Sequence, residues 1–465
     1  MKDSTLFVPI VVKLQKDLPL PGDSQSEGLF FQTEIIPRIQ LQEAAARIKI
    51  RNLFTSLTFS EINDLVKRAK SLDSRYEPPN FSAYYVIDCP IEINATIFLE
   101  NLLAHENVEL AYIVNDSMPP QVVNGDPKVL DTLQGYLGPA PGGVDAEYAW
   151  KSKGGNGERT VKFIDIEQGW ILDHESIRVD ILPCTGLNYA FHDHGAGVLG
   201  IIMMKKNKSR GSGITPEAKG YVVSQWRPAG YLNNADAIMA ALDHVSYGDI
   251  ILLQAQVRGL SPSKKLWPIE IHDATFDVIR LATALGVIVI EAAANGSVYF
   301  NLSSDLDQFI LNGKTILNRS DAGFKDSGAI MVAGATASIP HTRIYNSNYG
   351  SRIDCYAWGE GVYTAGNSPK SSNGAIDFYT REFCGTSSAA AIIAGVAISA
   401  QSIMEANYNL RLSPAEMREI LSSELYGTPS ANGRSIDKIG VMPDLKKIID
   451  KALVDIVGES TGSDE

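Results

Sequence analysis

The chain has 465 residues, 45% of them hydrophobic and 20% charged, which is enough apolar content for a large core in two or three domains. A formal charge of −13 argues against general nucleic-acid binding, because a polyanion would be repelled. The four cysteines show neither metal-ligand spacing nor a dense disulfide framework, and no run reaches the roughly 18 apolar residues of a membrane span.

The start, MKDSTLFVPIVVKLQKDLPLPG, is interrupted by Pro9 and Lys13 and does not read as a secretory signal. A cytoplasmic protein is the expectation, with signal-independent export left open. Residues 1–118 form one block. FVPIVVKLQ (7–15) and SAYYVID (82–88) read as strands rich in β-branched and aromatic residues. TFSEINDLVKRAKSL (58–72) opens on a capping-box pair, Thr58 with Glu61, and NATIFLENLLAHENVELAYIV (94–114) reads as a capped helix followed by a strand. A small α+β domain follows from this pattern. Residues 119–157 are punctuated by Pro and Gly, and read as a linker and lead-in segment with a maturation site.

From 158 to 455 strands and helices alternate. VKFIDI (161–166), RVDIL (178–182), GYVVSQ (220–225), DIILLQAQV (249–257), GVIVIEAA (286–293) and AIMVAGA (329–335) are strand candidates. Several are the continuous apolar runs expected of strands covered on both faces. The pattern predicts an α/β domain: an open, mostly parallel, doubly wound sheet with helices on both faces, its ligand site at the carboxyl ends of the strands. The tail 456–465 reads as disordered.

Three segments carry chemistry. VKFIDI ends a buried-looking strand with Asp165, a carboxylate that needs a cationic or imidazole partner. HDHGAGVLGII (192–202) places His194 before Gly195, Gly197 and Gly200, where another backbone can approach closely. FCGTSSAAAIIAGVA (383–397) puts Ser387 at the start of an apolar helix, whose free N–H groups suit an oxyanion. Asp, His, Ser along the chain is one of the known orders of the nucleophilic triad.

These segments resemble the Asp, His and Ser boxes of the subtilisin-like serine proteases, the subtilases. His194-Gly195-Ala196-Gly197-Val198-Leu199-Gly200 is similar to the His box, and Gly385-Thr386-Ser387-Ser388-Ala389 to the Ser box. EAAANGS (291–297) resembles the segment that carries the oxyanion-hole asparagine, here Asn295. The resemblance implies a serine endopeptidase. Ser387 would be its nucleophile, His194 its base, Asp165 the carboxylate behind the imidazole, and Asn295 an oxyanion donor. The family mostly has a hydroxyl residue and glycine directly after the aspartate, whereas Ile166-Glu167-Gln168-Gly169 follow Asp165. Where subtilases have a Ser-x-Gly substrate-binding strand, this chain has Gln254, Ala255 and Gln256, side chains expected to narrow the substrate cleft. The chemistry implies no metal or other cofactor. The 205–217 region, a calcium loop in many subtilases, is basic here, so no strong calcium site is expected. The N-terminal block is similar in element order to the inhibitory prodomain. The implied partners are therefore a protein or peptide substrate and the chain's own N-terminal domain as intramolecular inhibitor, with neither nucleic acid nor membrane. A catalytically silent, peptide-binding scaffold of the same fold is the alternative.

Overall fold

The computed structural model describes residues 7–15, 47–114, 134–158, 160–177, 180–181, 186–208, 210–258, 265–297, 302–366 and 378–462. In the N-terminal part, β1 (Phe7–Leu14), β2 (Lys49–Asn52), α1 (Phe59–Leu72), β3 (Tyr84–Pro90), α2 (Ala95–Leu103) and β4 (Val108–Ile113) follow in order. The strands form an antiparallel sheet in the order β2-β3-β1-β4. Alternation along these strands serves two cores. Ile10, Val12 and Leu14 of β1, with Tyr85, Ile87 and Cys89 of β3, pack with Phe98 and Leu102 of α2. Val11, Tyr84 and Val86 point the other way and join the large core of the rest of the chain. Thr58 and Glu61 close the expected capping box of α1 reciprocally.

The second part is built on a nine-stranded sheet. Its elements in chain order are β5 (Lys162–Glu167), β6 (Asp180–Ile181), α3 (His192–Met203), β7 (Lys219–Ser224), α4 (Asn234–Leu242), β8 (Ile250–Leu253), β9 (Gln256–Arg258), β10 (Leu266–Pro268), α5 (Asp273–Ala284), β11 (Ile288–Ala292), β12 (Ile330–Ala335), β13 (Cys355–Trp358), β14 (Val362–Ala365), β15 (Tyr379–Phe383), α6 (Thr386–Tyr408), α7 (Pro414–Ser422), β16 (Gly427–Pro429), β17 (Val441–Pro443) and α8 (Leu453–Gly462). The sheet order is β16-β17-β13-β12-β11-β8-β5-β7-β6, parallel throughout except for β16 against β17. The short pairs β9–β10 and β14–β15 stand outside it. The chain leaves β5 on one side toward β7 and returns on the other as β8, so the carboxyl end of β5 is a topological switch point.

Helices α3 and α6 pack on each other, and α6 also packs against β8, β11, β12 and β13. Helices α4 and α5 pack together against β5, β7 and β11, and α1 rests on α5. Helix α6 is long and apolar enough to cross a membrane by composition, yet its apolar stretch is wholly buried in the protein. It is the spine of the core.

Three expectations need correction. Residues 134–157 are part of the fold rather than a linker: Tyr136 is fully buried with its hydroxyl donating to the Tyr363 carbonyl at 3.0 Å, and Trp150 Nε1 donates to Ile214 O at 2.7 Å. The remainder of the 119–157 segment, including any maturation bond in 119–133, lies outside the described residues. The tail expected to be disordered continues as α8 to Gly462, with 463–465 outside the described residues. The single strand expected over 249–257 breaks at Gln254–Ala255 into β8 and β9.

Candidate active site

Residues 165 and 167 both lie on β5 and are fully buried. Period two puts their side chains on the same face at the switch point. Facing them is the first turn of α3, where Phe191 caps the helix with a φ of 54° and its carbonyl accepts the His194 N–H at 2.9 Å. Small residues let the neighbours close in. A Cβ on Gly195 would lie 2.2 Å from the Gly169 carbonyl, and one on Gly197 would lie 2.6 Å from the Phe383 ring. Ser387 comes from the first turn of α6. The preceding Gly385 has a φ of 89°, and a Cβ there would sit 2.6 Å from Asn295 Nδ2.

The three chain segments meet at His194. Its Nε2 is 2.9 Å from Ser387 Oγ, and its Nδ1 is 2.8 and 3.0 Å from the two carboxyl oxygens of Glu167. An ionised carboxylate only accepts, so Nδ1 carries the ring proton and Nε2 accepts from the serine hydroxyl. The imidazole packs against Phe383, ring centroids 5.3 Å apart.

The carboxyl that the sequence assigns behind the imidazole, Asp165, is not the one that meets it. Asp165 Oδ2 accepts from the Trp170 indole at 2.8 Å, and its Oδ1 is buried without a hydrogen-bond partner. The reason is reach. Glu167 stands one pleat further along the same strand face, at the strand's end, where its side chain extends to Nδ1. The signal was present: Gln168-Gly169 directly after Glu167 sits where the subtilase pattern has its hydroxyl residue and glycine after the acid. Burial pushes both carboxyls well above the usual range. The Glu167 charge drives Asp165 further up, while the Trp170 hydrogen bond and His194 pull it back, and Asp193 adds to the rise at Glu167.

Asn295 follows β11, directly after Ala294, which is held at a φ of 71°. Strain of this kind in a non-glycine residue persists only where surrounding contacts impose it. The Asn295 side-chain carbonyl accepts from both the N–H and the hydroxyl of Thr386, each at 2.9 Å. Its Nδ2 is buried with no acceptor. Such an orphaned donor beside a serine hydroxyl can receive an anionic oxygen. Thr386, Trp170 and Phe383 were not singled out by the sequence reading, because their roles depend on packing between segments distant in the chain.

Gln254, Ala255 and Gln256 lie at the site and, like Ser387, are fully buried. Gln254 Nε2 donates to the Ser387 carbonyl at 3.0 Å, and Gln256 Oε1 accepts the Asn295 backbone N–H at 2.8 Å. Among the described residues, no group of three or more His, Cys, Asp or Glu is placed to hold a metal ion. In the basic 205–210 stretch, Lys206 lies over the Trp150 ring at 4.4 Å and Arg210 pairs loosely with Glu175 at 3.8 Å.

The chain matches the profile of the subtilase family (peptidase S8) over residues 185–439, more than half of its 465 residues. That stretch contains His194, Asn295 and Ser387 and begins after Glu167. Among solved structures it is similar to fervidolysin from Fervidobacterium pennivorans, a keratinolytic enzyme related to subtilisin. The TM-score is 0.53 at 16% identity, covering 97% of this chain and 62% of that one. The chain thus spans less than two thirds of the length of fervidolysin. It is also similar to a Pseudoalteromonas arctica protease at 19% identity and a TM-score of 0.45, covering 71% of this chain and 99% of that one. No curated protein matches it.

Proposed function

Because the chain belongs to the subtilase family, we propose that it is a serine endopeptidase whose triad is Ser387, His194 and Glu167. The observation that carries this reading is the imidazole held between hydroxyl and carboxylate, at 2.9 and 2.8 Å. Ser387 Oγ attacks the peptide carbonyl as its proton passes to His194 Nε2, and that proton then goes to the leaving amine. Glu167 holds the ring tautomer and stabilises the imidazolium. The negative oxygen of the tetrahedral intermediate is received by Asn295 Nδ2 and the Ser387 N–H, which lies in the first turn of α6 and so has no intrahelical acceptor. Water attack on the acyl-enzyme reverses these roles. Protein or peptide chains are the substrates.

The N-terminal domain serves in this reading as an intramolecular inhibitor. Its support is the docking onto α4 and α5. Tyr84 OH donates to Asp277 at 2.6 Å, and the N–H groups of Thr55 and Ser56 donate to Asp236 at 2.7 and 3.0 Å. Where β4 ends, Val114 shares a small cavity with Asn233, Asn234 and Val257, so the chain leaves this domain beside the strand that carries Gln256.

The test is labelling of the full chain by a fluorophosphonate, alongside Ser387→Ala, and profiling of a peptide library. An adduct on Ser387 and library cleavage, both absent from Ser387→Ala, are expected once the N-terminal domain is separated, with the intact chain labelling and cleaving more slowly. A protein that neither labels nor cleaves, before or after separation of its N-terminal domain, is a silent scaffold instead.

A further inference from the structure

The link between β8 and β9 runs past both the nucleophile and the oxyanion donor. Gln254 in this link and Gln256 at the start of β9 stand where the resembling family has serine and glycine. Both glutamines are fully buried. One amide grips the Ser387 carbonyl at 3.0 Å, and the other accepts the Asn295 N–H at 2.8 Å. Thr386, next to the nucleophile, holds the Asn295 side-chain carbonyl with two bonds of 2.9 Å. The asparagine is thereby clamped at its backbone N–H and at its side-chain oxygen, and of its side-chain polar atoms Nδ2 is left without a partner. The backbone leading into it is held in the left-handed region at Ala294. A serine or glycine at 256 could not reach this N–H.

We propose that Gln256, seconded by Gln254, is a positioning residue for the reaction. Gln256 fixes Asn295 so that Nδ2 meets the developing oxyanion, and Gln254 ties the nucleophile's turn to the same strand. Neither touches the reacting atoms. Both act through the groups they hold, so the chain couples nucleophile and oxyanion donor through one segment.

This rests on the reading of the site given above, and two readouts on the full chain separate the two. The variant is Gln256→Met, which keeps the side chain's bulk and removes its acceptor; Gln256→Ala serves if Met does not fold. The first readout, hydrogen exchange of the amides in residues 291–297, needs no turnover. Faster exchange in the variant is expected, and unchanged protection overturns the clamp even in a protein that cleaves nothing. The second is kinetics on a peptide from the library. Gln256→Met should lower kcat about 10- to 100-fold with KM within about twofold, since small misplacements of a catalytic donor are costly. In an Asn295→Ala background the same change should have an effect below about twofold. Equal losses in both backgrounds would mean a merely structural role and overturn the proposal. Wild-type protein without Ser387-dependent turnover, but with exchange behaving as expected, would count against the protease reading and leave the clamp standing.

Discussion

At the scale of single residues, the two buried carboxyls of β5 are not equivalent. Glu167 faces the imidazole through both of its oxygens, whereas Asp165 has the Trp170 indole on one oxygen and no partner on the other. Two neighbouring buried carboxyls do not both ionise readily, and the charge is best placed on the one facing Nδ1. Glu167→Gln should therefore lower kcat by about 10⁴, the scale seen when a triad carboxylate becomes an amide. Asp165→Asn, which can still accept from Trp170, should keep kcat within about threefold. Steady-state kinetics on the two variants decides the assignment; the reverse ranking would restore Asp165 as the triad acid. Asn295→Ala should cost about 10²–10³ in kcat with KM little changed, because its Nδ2 would be engaged only as charge develops.

At the scale of elements, the contact between the N-terminal domain and α4 is organised by Asp236. It is fully buried, and it receives the Thr55 and Ser56 N–H groups, the Ser56 hydroxyl at 2.7 Å and Arg227 Nε at 3.0 Å. Arg227 is 1% exposed, and its Nη2 also donates to Ser56 Oγ at 2.7 Å. Truncating one member leaves the other as an uncompensated buried charge. Asp236→Ala should destabilise the chain by about 3–5 kcal/mol in chemical denaturation, and Asp236→Ala with Arg227→Met should recover much of that loss. Full additivity of the two substitutions would show that the pair is not coupled.

At the scale of the whole molecule, the docking of the N-terminal domain should depend on pH. His272 caps α5 and stacks on Tyr112 of β4 with ring centroids 4.6 Å apart; burial pushes its pKa from 6.5 to about 4, against an upward pull from Asp273. The neutral ring is thus the docked form. Its contribution is complete above pH 6.5 and is lost as pH falls through about 4. Asp277, facing Tyr84 and Lys13, works in the opposite sense, since burial raises its pKa and docking favours its protonated form. Arg51 lines the same cavity as His272. Limited proteolysis between pH 7 and 4 should find the N-terminal domain more readily released on acidification. His272→Gln should flatten that dependence; an unchanged slope in the variant would show that His272 does not carry it.

What the chain alone determined is whatever sits within one element. Continuous apolar strands, the capped helix at Thr58, the glycines after His194 and the small-residue helix after Ser387 are dictated by local sterics and hydrogen bonding, so the fold class was legible from them. His194 and Ser387 were singled out by their motifs together with the subtilase resemblance, and Asn295 by that resemblance alone. Segment 134–157 misled because its Pro and Gly content describes local conformation and not what it packs against. Which carboxyl reaches the imidazole was settled only in three dimensions. Asp165 and Glu167 share a strand face, so periodicity treats them alike, and one pleat of extra advance along β5 decides between them. The orphaned Nδ2 and the glutamine clamp likewise exist only once three distant segments converge, because a hydrogen bond between them has no trace in the spacing of either partner.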